Sequence, residues 1–144
     1  KKANFSVICY DLSNLSEFVM PLDNSIFRML KKNLPGPFTF ILKAGSEVPK
    51  IFQTKKKTIG IRVPDNKICR ALINELGNPV ISTSITEAID FKDYPNDPEE
   101  IYEKYEKLVD IVIDGGILGK TPSTIVDCTD DEVNIIREGK GTLS

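Results

Sequence analysis

Gly60-Ile61-Arg62-Val63-Pro64-Asp65 is the stretch of this chain whose residue types and spacing best suit the holding of an anion. Ile59, Ile61 and Val63 alternate as the buried face of a strand, which sets Gly60 and Arg62 together on the other face. A glycine leaves room for an approaching group, and the arginine beside it offers a fixed fork of donors matched to a carboxylate or a phosphate. A solvated arginine on a half-exposed strand has the same pattern. Ser82-Thr83-Ser84 ends an apolar strand, and Val80, Ser82 and Ser84 share one face at period two. Hydroxyls therefore point beyond a strand end, where ligands of open α/β sheets collect; the alternative use for them is to satisfy a loop backbone. Ser123 and Thr124, after Pro122, present the same choice. Arg137 follows Val133 and Ile135 on one face, so its charge requires an anionic partner, a ligand or a carboxylate such as Glu138 or Asp127.

The elements that must position these residues alternate along the chain. Strands are predicted over 5–10, 38–43, around Arg62, and over 79–84, 109–113, 124–128 and 133–137, the last two joined by a turn at Asp130-Asp131. Short helices are predicted over 12–20 and 24–32, the second capped by Asp23 with Ile26, Phe27 and Leu30 as its apolar stripe. Val48 to Phe52 suits one helical turn. Asp65 is placed to cap a helix over 66–76, with Ile68, Cys69, Leu72, Ile73 and Leu76 facing inward and Gly77 ending it. Asp97-Pro98-Glu99-Glu100 starts another helix, running to about residue 107. Interleaved strands and helices with a closing hairpin imply a single α/β domain over 1–144, built on a twisted mixed sheet.

Composition narrows the chemistry. The 144 residues include no histidine, which excludes Ser-His or Cys-His catalysis and histidine-ligated metals. Cys9, Cys69 and Cys128 are odd in number and far apart, so neither a disulfide framework nor a zinc site is expected, and reduced thiols in a cytoplasmic protein are. No apolar run reaches membrane-spanning length. Residues 1–70 hold 13 Lys/Arg against 5 Asp/Glu, while residues 71–144 hold 6 against 16. A basic half suits anions such as ATP or RNA phosphates, unless folding mixes the two halves. Lys55-Lys56-Lys57 reads as a solvated edge or a binding patch. Gly115-Gly116-Ile117-Leu118-Gly119-Lys120-Thr121 approaches a phosphate-binding loop, but its spacing is one residue short and a strand, not a helix, follows it.

Six segments taken in order resemble the YrdC/YciO family, to which L-threonylcarbamoyladenylate synthase belongs. They are Leu34-Pro35-Gly36-Pro37-Phe38-Thr39-Phe40-Ile41-Leu42, Gly60-Ile61-Arg62-Val63-Pro64-Asp65, Ile81-Ser82-Thr83-Ser84, Asp114-Gly115-Gly116, Pro122-Ser123-Thr124-Ile125-Val126-Asp127 and Ile136-Arg137-Glu138-Gly139. The resemblance implies a twisted α/β sheet with a concave, basic face. It also implies the joining of L-threonine, bicarbonate and ATP, with Mg²⁺ on the nucleotide, into threonylcarbamoyl-AMP for tRNA modification. Related domains bind double-stranded RNA, which makes a non-catalytic RNA- or tRNA-binding role the alternative. Carried over by motif, Arg62 holds the threonine carboxylate and Ser84 the ATP phosphates. Ser123, Thr124 and Arg137 shape the nucleotide site, and Thr39 faces the same cleft. No single catalytic residue, metal site or membrane partner is implied. The family's Ala-Asn after the serine-rich strand end is here Ile85-Thr86, as in the YciO-like branch, so Thr86 stands where an ATP-contacting asparagine is expected. The family's threonine-binding N-terminal segment, with its Lys-x-Arg motif, is expected upstream of Lys1.

Overall fold

Period-two alternation of apolar residues produces the sheet. The computed structural model, which describes residues 4–85 and 96–144, shows six strands in it. They are β1 (Phe5–Ile8), β2 (Phe38–Lys43), β3 (Thr58–Arg62), β4 (Val80–Thr83), β5 (Thr124–Asp127) and β6 (Asn134–Arg137), in the order β4-β1-β3-β2-β5-β6. The sheet is mixed: β1 with β3 and β2 with β5 run parallel, and the other neighbours run antiparallel. Three α-helices accompany it among the described residues: α1 (Asn24–Asn33), α2 (Lys67–Leu76) and α3 (Pro98–Tyr105).

Register aligns the apolar residues of the four central strands into one transverse row. Val7 lies opposite Ile61, Ile61 opposite Phe40, and Phe40 opposite Val126, all of them buried. Leu30 of α1 completes this core, and side chains buried so fully contribute about 1.5–3 kcal/mol each relative to exposure.

Several predicted elements differ in the structure. Residues 12–20 contain only the 3₁₀ turn Leu15–Glu17, and the turn near Val48 is Lys50–Phe52. Asp23 precedes α1 without a capping bond from its side chain. Asn66, not Asp65, caps α2, its side chain accepting from the Cys69 N–H at 3.0 Å. Asp97 caps α3 as expected, by accepting from the Glu99 N–H. The predicted inner face of α2 is mostly not inner. Ile73 is buried, but Ile68, Leu72 and Leu76 are exposed, and no residue of α2 belongs to the buried core cluster.

Residues 109–113 form no strand. Their alternation is sound, but a strand also needs a neighbour's edge to take its backbone N–H and C=O groups. This segment runs outside the six-stranded sheet, with Ile111 76% exposed.

Candidate functional site

The face of the sheet opposite the core row lines a cleft of about 370 Å³. Its floor follows from the same register, one residue along. Ile8 pairs with Arg62, Thr39 with Ile125, and Ile125 with Arg137. Phe40 lies opposite Ile61 in an antiparallel pair, so Thr39 falls opposite Arg62. Arg62 and Arg137 thus end a shared row three strand spacings apart, roughly 14 Å at the backbone. Among the described residues the cleft is lined by these two arginines, by hydroxyls and by no carboxylate, a composition that favours an anion.

Gly60 makes the room beside Arg62. A Cβ there would come within 2.6 Å of Ser6 Oγ and 3.0 Å of the Thr39 methyl, so a side chain would push on two residues of the cleft floor. Arg62 is half-buried, and its Nε is fully buried with no hydrogen-bond partner. Leaving such a donor unsatisfied costs about 1–3 kcal/mol, and more where the group is charged. The Arg62 side chain also lines the polar cleft, so its guanidinium joins a buried unsatisfied donor to a site open to an anion.

Arg137 is held differently. Its Nε and one terminal nitrogen donate to the Ser123 carbonyl at 3.1 and 2.8 Å, and the same terminal nitrogen reaches Ser123 Oγ at 3.3 Å. Ser123 Oγ is in turn 2.9 Å from Thr39 Oγ1, which links three of the predicted residues in one chain of polar contacts. Of the two partners open to Arg137, a ligand or a carboxylate, neither Glu138 nor Asp127 takes it; a carbonyl and a hydroxyl hold it, and Asp127 accepts from Thr129. The predicted face also differs. Val126 pairs with Ile135 but Ile125 pairs with Arg137, so Ile136 is an extra residue, a β-bulge. The bulge sends Ile135 and Arg137 to opposite faces and delivers the arginine to the cleft. Gly139 closes the turn behind it, since a Cβ there would collide with the carbonyl oxygens of Pro122 and Ser123.

The serine-rich strand end also lies here. Ser82, Thr83 and Ser84 all line the cleft; Thr83 donates to the Asn4 carbonyl at 2.8 Å and Ser82 to the Ser6 carbonyl at 3.4 Å. Thr124 does not line the cleft. It is buried on the core side, donating to the Gly141 carbonyl at 2.6 Å and accepting from the Gly139 N–H at 3.0 Å, which braces the turn after Arg137. Thr86 lies outside the described residues.

Ser6, Thr54 and Thr58 also line the cleft, and the sequence reading did not name them. Ser6 left a signal, a lone polar residue between Phe5 and Val7 in a strand, and it faces Gly60 across the β1–β3 pair. A slightly larger hollow, about 420 Å³, lies between α1 and α2, but its arginine is already engaged. Arg70 stacks 4.3 Å over the Tyr10 ring and donates to the Tyr10 carbonyl at 3.1 Å.

Comparison with known proteins bears on this cleft. The Sua5/YciO/YrdC family profile, described as "Telomere recombination", matches residues 1–139. An uncharacterised protein of Escherichia coli K12, YciO, is 49% identical over 142 residues, which are 97% of this chain and 68% of that protein. Its crystal structure superposes with a TM-score of 0.89 at 47% identity, covering 96% of this chain and 67% of that one. A putative threonylcarbamoyl-AMP synthase of Methanocaldococcus jannaschii is 37% identical over 133 residues, 92% of this chain and 61% of that protein. The crystal structure of P. abyssi Sua5 complexed with L-threonine has a TM-score of 0.85 at 23% identity over 95% of this chain and 40% of its own, a likeness of fold.

Proposed function

The chain belongs to the Sua5/YciO/YrdC family, and from that premise we propose that its cleft binds L-threonine and ATP for the synthesis of threonylcarbamoyl-AMP. The observation that carries this reading is the buried, unpartnered Arg62 Nε beside Gly60 in a cleft that, among the described residues, has no carboxylate in its lining. Arg62 takes the threonine carboxylate on its donor fork. Ser84 and Arg137 receive the ATP phosphates, with Ser123 fixing the Arg137 guanidinium and Thr39 fixing Ser123. The separation of the two arginines suits a pair of ligands set end to end. Support from relatives is the name of the M. jannaschii protein and the threonine in the P. abyssi Sua5 structure.

The reaction asks little of an acid or base. Threonine's amine and bicarbonate form a carbamate as a C–O bond of bicarbonate breaks and water leaves; the carbamate oxygen then attacks the α-phosphorus of ATP as the bond to pyrophosphate breaks. Positioning and charge neutralisation supply most of the acceleration in such a step. Mg²⁺ enters as the ion carried by ATP; among the described residues no cluster of three or more acidic or sulfur ligands is assembled for a metal. Thr86, in place of the family's ATP-contacting asparagine, is the substitution expected to weaken the hold on the nucleotide and with it turnover.

Binding and turnover are therefore measured separately. Calorimetry with L-threonine and with Mg-ATP is expected to show both binding, with threonine binding lost in Arg62→Ala. Mass spectrometry of a mixture with bicarbonate is expected to show threonylcarbamoyl-AMP together with released pyrophosphate. Absence of threonine and ATP binding overturns the reading; binding without product leaves a nucleotide-binding relative with no synthase activity.

A further inference from the structure

Beyond the cleft, the last residue of β2 and the connection to β3 gather five exposed lysines, Lys43, Lys50, Lys55, Lys56 and Lys57, around a groove of about 660 Å³. Among the described residues no acidic side chain lines it; Glu47 belongs to the same connection but stays outside the lining. Among the described residues none of the five lysines is held in an ion pair. Five like charges around one hollow repel one another, and an anionic partner relieves the repulsion.

The groove is not merely basic. Met20, Ala44 and Val48 contribute to its lining, and Met20 keeps 51% of its surface exposed. The aliphatic stems of the lysines extend this apolar surface while their ammonium groups rim it. The rim is also held in place. Thr54 Oγ1 and Thr58 Oγ1 are 2.7 Å apart, the Thr58 N–H donates to Thr54 Oγ1 at 3.2 Å, and the Lys57 N–H donates to the Thr54 carbonyl at 2.9 Å. Lys57 has φ 61°, a left-handed conformation that a side-chain-bearing residue seldom adopts. Glycine or asparagine fits that position with less strain. Lysine there instead continues the row of ammonium groups.

We propose that this groove docks an acidic peptide segment of a partner protein, its carboxylates on the lysine rim and an apolar side chain over Met20. An apolar floor within a charged rim is the anatomy of a peptide interface, and a methionine adapts to different apolar anchors. A nucleic-acid backbone has no use for the apolar floor, and the guanidinium forks that commonly grip phosphates are missing from this lining. Because Thr54 lines both hollows, the docked segment lies against the rim of the Arg62 cleft. The proposal stands independently of what that cleft binds.

Fluorescence anisotropy of a labelled Asp-Glu-Leu-Glu-Asp-Leu peptide tests it, with labelled hexaglutamate and a single- and a double-stranded RNA as comparisons. The leucine-bearing peptide is expected to bind about tenfold or more tighter than hexaglutamate, the worth of burying one leucine. Lys55→Glu with Lys56→Glu and Lys57→Glu should abolish binding, Met20→Ser should remove the preference for leucine, and Arg62→Ala should change neither. The lysine and Met20 substitutions fall on exposed side chains, and circular dichroism verifies for every variant that the fold is kept. Equal binding of hexaglutamate, no binding of either peptide, or binding that survives the lysine substitutions overturns the proposal. So does tighter binding of either RNA through the same lysines. Salt-sensitive self-association through the chain's own Asp130-Asp131-Glu132 turn would also overturn it, by giving the groove to a second copy.

Discussion

The four central strands carry two transverse rows a single residue apart, Val7-Ile61-Phe40-Val126 on one face and Ile8-Arg62-Thr39-Ile125 on the other. The first row is apolar and buried, and each of its members is satisfied by packing alone. The second mixes apolar, hydroxyl and cationic groups around open space, and one of its donors has no partner. Backbone, register and strand twist are shared, so the difference comes from side chains alternating at period two. One face spends its residues on stability, and its neighbour, held rigid by it, carries an unsatisfied group. The comparison predicts that substitutions separate cleanly: stability should answer to one row and ligand binding to the other.

Phe40→Ala should produce the largest effect. Phe40 is fully buried between Ile61 and Val126, and emptying such a site costs about 3–5 kcal/mol. Urea unfolding measures it, and a loss under 1 kcal/mol would mean that the row is not the mechanical centre of the domain. Arg62→Ala should do the reverse. Threonine affinity is expected to fall at least about 30-fold, since truncating a buried charged partner costs about 2–5 kcal/mol. The urea midpoint should hold or rise, because an unpartnered buried donor is removed. Arg62→Lys should not restore the affinity, because a point charge does not reproduce the fork. A marked drop in stability with unchanged threonine binding would invert the comparison.

Much of this division was legible in the chain. Ile59-Gly60-Ile61-Arg62-Val63 separates its faces without ambiguity, and β2 begins and ends where its pattern says, at Phe38 and Lys43. What alternation cannot report is context. It places Ile135 and Arg137 on one face, and only the pairing with β5 reveals the extra residue that parts them. It makes residues 109–113 a strand, although none of the six described strands receives them. It treats Ser123 and Thr124 as equivalent hydroxyls, whereas adjacent residues of a strand point to opposite faces and one goes to the cleft, the other to the core. Charge by sequence half said only that the first half suits anions unless folding mixes the two; five of its lysines surround a groove apart from the cleft, and the cleft takes Arg62 from the basic half and Arg137 from the acidic one.

The bulge sharpens the comparison further, with a smaller effect. Arg137→Ala removes an exposed side chain with three donor contacts to Ser123, so ATP affinity should fall by about tenfold or less, in keeping with about 0.5–1.5 kcal/mol per hydrogen bond. Deleting Ile136 should instead leave ATP affinity nearly unchanged, because β5 and β6 then pair in regular antiparallel register and Arg137 still falls opposite Ile125, on the cleft face. Calorimetry on both variants distinguishes them; a deletion that weakens ATP as much as the alanine variant would show that the local twist of the bulge, and not the pairing alone, aims the guanidinium.

The smallest effect concerns the ends of the buried row. Cys9 and Cys128 continue the core face beyond Val7 and Val126, and burial pushes both thiols up to about 11, helped by the Asp11 carboxylate beside one and the Asp127 carboxylate beside the other. Thiolate is the reactive form, so iodoacetamide at pH 8 should spare both, with labelling rising only as pH approaches 11. The sign for stability follows from the same shift. Between the ordinary thiol value of 9.0 and about 11 the folded chain holds protons that the unfolded chain has released. Stability contributed by the protonated thiols is therefore complete below pH 9 and declines as pH rises towards 11. Cys9→Ala should flatten that decline, whereas Arg62→Ala on the opposite face should leave it unchanged. Rapid labelling of Cys9 at pH 8 would mean that the core face opens at β1, and that the rigidity on which the cleft depends is missing at that strand.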